Sequence, residues 1–255
     1  VRSGWDLRGA QWSHAFLSLE AAHELSLLDS SELGCAAVTG ALVFLDGSST
    51  TRERPFQPGL ETGDSWELEA AVQASDFPLA EASLCAAVYE GGFEARWFDL
   101  ALSNFEGWGH RPLVGFHSWR LRESLGAPAG WVLRAALGHW LPWETAPQAE
   151  VVVQSASFQA PKTSMALAEA ILRGEGVGVL EAGLHGGCPA TLLVEGILLA
   201  ACRIFAGLPQ LRQLHGITVS RACGVAVLQY GANAQNLVPL TRFVEEGWMQ
   251  ALASG

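Results

Sequence analysis

From residue 65 onward, apolar and polar positions alternate in short runs. Ser65–Val72 (SWELEAAV) has the period-2 pattern of a half-buried strand. Ser75-Asp76-Phe77-Pro78 interrupts it, and Ala82–Tyr89 (ASLCAAVY) predicts a second strand closed by Glu90-Gly91-Gly92. Arg96–Leu102, Leu113–Leu121, Trp131–Leu137 and Glu150–Phe158 read as further strands. Turn residues separate them at the spacing of an all-β sandwich. Ser164–Arg173 (SMALAEAILR) is the one clean helical pattern, with Thr163 or Ser164 as its cap and Gly174 as its stop. Upstream, Trp12–Leu28 reads as a strand and a helical turn. Leu33–Leu45 is an apolar segment ending at the Asp46–Ser49 turn, and Thr50–Gly63 is a loop.

The chain also resembles itself. Leu68-Glu69-Ala70, then Pro78, then Ala80-Glu81-Ala82 is echoed by Leu180-Glu181-Ala182, then Pro189, then Val194-Glu195-Gly196. Each copy predicts a strand, a proline-containing turn and a strand, which suggests a duplicated unit. The expected architecture is therefore all-β: two antiparallel β-sandwich, jelly-roll-like domains with a few short helices. Residues 1–160 form the first with an N-terminal segment. Residues 161–255 form a second that lacks a clear closing hairpin.

Composition narrows the function classes. The chain is 49% hydrophobic and only 16% charged, so either a large core or partner-covered surface is expected. A net charge of −11 and the absence of any Lys/Arg run exclude a simple basic nucleic-acid binder. The lone lysine, Lys162, reads as an exposed linker residue. Cys35, Cys85, Cys188, Cys202 and Cys223 are odd in number and widely spaced. They read as small buried hydrophobes in a reducing compartment rather than a disulfide or zinc framework. The start at Val1 carries no signal-peptide pattern and suggests a cleaved product. Glu195 and Arg203 interrupt the apolar run Ala190–Leu208, so no membrane span is expected.

The search for chemistry assigns no catalytic, cofactor-binding or metal-binding residue. There is no G-x-S-x-G elbow, P-loop or H-E-x-x-H, and Gly174-Glu175-Gly176-Val177-Gly178 misses the dinucleotide spacing. His185-Gly186-Gly187 looks like an oxyanion loop but has no serine elbow to serve. His14, His23, His110, His117, His139, His185 and His215 show no ligand spacing. Neither cofactor nor metal is expected, and the chain reads as a non-enzyme. Ten tryptophans remain, with Trp108, Trp119, Trp131, Trp140 and Trp143 in one stretch. Trp119 and Trp131 read as core anchors, and Trp140-Leu141-Pro142-Trp143 as an exposed contact loop.

Ser164–Phe205 (SMALAEAILRGEGVGVLEAGLHGGCPATLLVEGILLAACRIF) resembles the opening of a coat-protein jelly roll of picorna-like plant viruses, the comovirus and nepovirus group. His215–Val219 through Tyr230–Asn236 is similar to the strands and loop that follow there. Residues 64–90 resemble the same element in a preceding domain, and Trp131–Val153 the closing hairpin. The resemblance implies a structural coat protein that assembles with copies of itself and with sister coat-protein chains into an icosahedral capsid around RNA. It also implies weak, non-specific contact with genomic RNA, and a place in the virion and the host cytoplasm. Two other readings stand beside it. One is a β-sandwich hydrolase with a dispersed triad. The other is a carbohydrate-binding module using the Trp108–Trp143 region.

Overall fold

A computed structural model describes Ala22 and residues 64–126, 131–140 and 158–254. The described residues are helical and contain no β-strand. The expected all-β sandwich is thus corrected to an all-α fold. With it fall the jelly-roll capsid, its icosahedral assembly around RNA, and both β-based alternatives, hydrolase and carbohydrate-binding module. The segments Trp12–Leu28, Leu33–Leu45 and Thr50–Gly63, and nearly all of Glu150–Phe158, lie outside the described residues.

The first supposed strand shows why. Period 2 places Trp66, Leu68, Ala70 and Val72 on one face. Instead, Trp66 is 75% exposed and Ala70 is exposed, while Leu68, Ala71 and Val72 are buried. That spacing of three and four is helical. Residues Ser65–Glu67 form a 3-10 turn, capped by the Asp64 carboxylate on Trp66 N–H, and α1 (Leu68–Gln73) continues from it. The supposed Pro78 turn is the start of α2 (Phe77–Ala87). Asp76 accepts from Leu79 N–H at 3.1 Å, and proline is harmless in a first turn, whose N–H groups have no helical partner. The supposed strand Ala82–Tyr89 lies mainly in α2. Arg96–Leu102 lies mainly in α3 (Phe93–Ala101), Leu113–Leu121 in α4 (Glu106–Leu125), and Trp131–Leu137 in α5 (Trp131–Trp140).

The remaining elements are α6 (Ser164–Leu172), α7 (Gly176–His185), α8 (Ala190–Gly207), α9 (Leu211–Gln229), a 3-10 turn at Ala234–Asn236, and α10 (Leu237–Ser254). The helix expected at Ser164–Arg173 is present as α6, with the Thr163 hydroxyl accepting from Ala166 N–H at 3.1 Å. Pro189 is the N-cap residue of α8. Both arms of the internal similarity therefore read helix, proline-marked start, helix.

The chain divides into two compact units. Unit 1 holds Val1–Phe93 and Val114–Thr145, and unit 2 holds Glu94–Leu113 and Ala146–Gly255. In unit 1, Leu84, Phe93, Trp119, Leu133 and Trp140 are almost fully buried. Arg134 of α5 donates from Nε to Glu81 Oε1 of α2 at 2.7 Å, with both side chains inside. Its guanidinium also lies 5.3 Å from the Phe77 ring centre. Arg122 donates to the Val88 carbonyl at 3.0 Å, which satisfies an open acceptor at the C-terminal end of α2.

In unit 2, α8 packs chiefly against α6 and α9. It is long and apolar enough, by length and composition, to cross a membrane. Its inner face, including Leu193, Ile197, Ala200 and Ile204, is buried in the unit's core. Its charges stay outside: Glu195 accepts a hydrogen bond from the Ser164 hydroxyl at 2.9 Å, and Arg203 is exposed. Trp248 of α10 donates from Nε1 to the Leu172 carbonyl at 3.0 Å, closing the end of α6.

Candidate functional site

Helix α9 carries two features, an exposed line of side chains and a histidine that flanks it. It follows α8 after Leu208-Pro209-Gln210, where the proline cannot continue the preceding helix. Its inner face buries Gln213, Gly216, Val219, Ser220, Cys223 and Ala226. Its outer face presents Leu211 (60% exposed), Leu214 (41%), Thr218, Arg221, Val225 and Leu228 (44%). These six positions are spaced three, four, three, four and three residues apart. That is the spacing of a coiled-coil seam, which turns one continuous line toward a partner. Thr218 is exposed and Val225 half-buried, so the line is open along its length.

The second feature is a histidine pair. In the first turn of α4, Gly109 N–H donates to the Phe105 carbonyl at 3.0 Å. Gly109 then takes φ +75°, where any side chain is strained, and a Cβ there would lie 2.7 Å from Val219 Cγ2. Glycine thus lets the opening of α4 press against α9, and Pro112 follows without an N–H to satisfy. The next residue, His110, meets His215, one helical turn before Val219. Their Nε2 atoms are 3.2 Å apart, with the rings edge-on at 67°.

The protons on this pair follow from its neighbours. His215 Nδ1 lies 2.9 Å from the Leu211 carbonyl, which can only accept. His215 Nδ1 therefore carries the hydrogen, and in the neutral ring Nε2 is left as an acceptor. His110 must then donate from its Nε2. Two imidazoles consequently face each other through the same type of nitrogen, the Nε2–H of one directed at the Nε2 lone pair of the other.

Glu245 of α10 supplies a third polar feature. It accepts from the Gly176 and Val177 N–H groups and so caps the start of α7, whose own N-cap residue, Glu175, makes no side-chain bond. Burial raises the Glu245 carboxyl to about 7, against the opposing pull of those N–H groups and of Arg242. The folded pKa thus lies above the unfolded value of 4.5, so the folded state holds the extra proton. Stability is greatest below that unfolded value and falls as pH rises from about 4.5 through about 7. After allowance for solvent screening, the loss is about 1–2 kcal/mol. Glu245→Gln is expected to flatten this slope in thermal melts of the chain. It should also raise the melting temperature at pH 8 relative to the parent. A slope unchanged by the substitution would place the titration elsewhere.

Between α8, α9 and α10 a cavity of about 20 Å³ is lined by Ala201, Ile204, Gln213, Gly216 and Val244 among others. It has room for one water, and Gln213 Oε1, buried without a protein donor, is the acceptor such a water would satisfy.

The sequence-derived candidates fall as follows. His110 and His215, read separately and without a role, come together across 105 positions of chain. His117 stacks edge-on against Phe116 in α4, and His185 is exposed at the end of α7. His14, His23 and the His139 side chain lie outside the described residues. Trp119 is buried as expected. Trp140, expected as an exposed contact, is only 1% exposed, because α5 turns it into the core of unit 1. The Trp108 and Trp131 side chains and Trp143 lie outside the described residues. Cys85 and Cys223 are buried, and burial pushes the Cys223 thiol far up, which leaves it protonated and inert. Cys202 is exposed on α8, and Cys35 lies outside the described residues. Among the described residues no group of three metal-ligating side chains occurs.

No family model, curated protein or solved structure matches the chain.

Proposed function

We propose that this chain is a helical assembly module that pairs with a second copy of itself along the outer seam of α9, acting by association rather than by catalysis. The observation that carries this reading is the mirror order of the seam. Set antiparallel about its midpoint, Leu211 meets Leu228 of the second copy, Leu214 meets Val225, and Thr218 meets Arg221. Apolar positions then face apolar ones, and the polar centre faces itself. A two-fold pair of this kind uses the same patch on both copies, so it closes without building a filament.

Orientation is set by the same six residues. A parallel pair would place Arg221 against Arg221, and like charges in contact are disfavoured. The antiparallel pair places each Arg221 beside a Thr218 hydroxyl, which can accept its hydrogen bond. Polar residues inside an apolar seam fix register at some cost in affinity. The low charge content of the chain suits a surface of which part is covered.

Cysteine cross-linking tests the arrangement. With Cys202→Ser as background, the Leu214→Cys/Val225→Cys chain is expected to form an oxidised dimer on a non-reducing gel. Leu214→Cys alone should stay mostly monomeric, because position 214 faces 225 and not itself. Equal cross-linking by Leu214→Cys alone would contradict the antiparallel pairing, and the absence of any dimer from the double variant would contradict the pairing itself.

A further inference from the structure

The geometry points to a second property of unit 2: we propose that His110 and His215 form a two-imidazole site for a divalent transition-metal ion, with Cu²⁺ preferred over Zn²⁺. It stands apart from the pairing of α9 and does not depend on it.

The first support is distance. A metal about 2.0–2.1 Å from each of two imidazole nitrogens holds them at a separation fixed by the ligand angle. The observed Nε2–Nε2 separation of 3.2 Å corresponds to an angle of about 100° at such an ion. That lies between square-planar and tetrahedral values, so the two nitrogens are already spaced as neighbouring ligands. The ion would sit off the line between the nitrogens, so both imidazoles must turn their Nε2 lone pairs away from each other and toward it.

The second support is the outer shell. Metal-binding histidines characteristically donate their other ring N–H to a carbonyl or carboxylate, which fixes the tautomer and raises ligand basicity. His215 does so, through Nδ1 to the Leu211 carbonyl at 2.9 Å. That bond lies within α9 and holds the ring whether or not His110 is in place. The third support is rigidity. Gly109, in a left-handed conformation against Val219, fixes where the chain turns before His110. A ligand held by packed backbone loses little freedom on binding.

The proton balance closes without a co-reactant. His215 offers its Nε2 lone pair once His110 withdraws the hydrogen bond it donates there. His110 gives up the proton on Nε2 and takes one on Nδ1 by exchange with solvent. Two neutral imidazoles then ligate one M²⁺, with no net proton released above the imidazole range. Both rings are part-exposed, so water completes the coordination. Imidazole ligands suit copper, nickel and zinc, and for a given site Cu²⁺ binds most tightly of the three.

Titration of the full chain with Cu²⁺ alone, followed by calorimetry, is the test. The parent is expected to bind one equivalent that His110→Gln and His215→Gln each weaken by at least ~10-fold, the scale on which metal sites respond to lost partners. His185→Gln, at an exposed histidine outside the pair, should leave that equivalent unchanged. Zn²⁺ should occupy the same equivalent more weakly. Retention of parental affinity in both pair variants would overturn the proposal. Should either variant fold poorly, paramagnetic broadening in the parent decides. Sub-stoichiometric Cu²⁺ is expected to erase the His110 and His215 ring signals before those of the other histidines. Uniform broadening of all seven would overturn the site.

Discussion

Arg134→Met is expected to lower the stability of unit 1 by about 3–5 kcal/mol, because it removes the cation that faces the buried Glu81 carboxylate. The two side chains are only 6% and 7% exposed, and the Nε to Oε1 distance of 2.7 Å leaves no room for water between them. A loss of that size is a large share of the 5–15 kcal/mol that typically holds a domain folded. The physical cause is the stranded charge and not the lost attraction, which gives the experiment a second arm. Arg134→Met/Glu81→Leu removes both charges and should recover most of the stability, since a buried pair replaced by apolar groups is often neutral. Denaturant melts of the three chains measure this directly. A double variant as unstable as the single one would show that the guanidinium's contact with the Phe77 ring, and not the stranded charge, sets the loss.

The second large effect concerns association. Leu211→Glu/Leu228→Glu is expected to abolish pairing while leaving the fold intact. Each substitution is repeated in both copies, so four carboxylates would enter the seam. At about 1 kcal/mol or more for each desolvated group, the pair weakens by roughly 1000-fold. In the single chain both positions face solvent, where substitutions typically change stability by less than about 0.5 kcal/mol. Unchanged melting together with a lost dimer is the expected signature on size-exclusion chromatography with light scattering. A variant that still elutes as a dimer would move the interface away from α9.

Local signals in the sequence were sound where they named a cap or a stop, and misleading where they named a period. Thr163 caps α6 as expected, and Gly174 follows it with φ +75°. The strand readings failed because a short run rich in alanine and leucine satisfies two periods at once. Ser65–Ala70 alternates for six positions, yet Leu68, Ala71 and Val72 form one face of a helix. Pro78 and Pro189 were read as turns between strands, although proline is equally at home at a helix start. Reading those two as breaks cut α2 and α8 away from the helical pattern that follows each proline.

The site was hidden for a different reason. His110 and His215 share no local spacing, and only the turn at Gly109 brings them together. Tertiary packing carries that information, and no window along one strand of text holds it. The seam of α9 was legible in principle. Leu211, Leu214, Thr218, Arg221, Val225 and Leu228 stand in plain heptad order, but likening His215–Val219 through Tyr230–Asn236 to strands and a loop hides that order.

Sedimentation equilibrium of the unmodified chain tests the account most directly. Across a concentration series at neutral pH, the mass is expected to rise from 27.1 kDa toward about 54 kDa, the value for two copies, and to stop there. A mass that remains at 27.1 kDa at the highest concentration, or that climbs past two copies without limit, would contradict a closed pair built on α9.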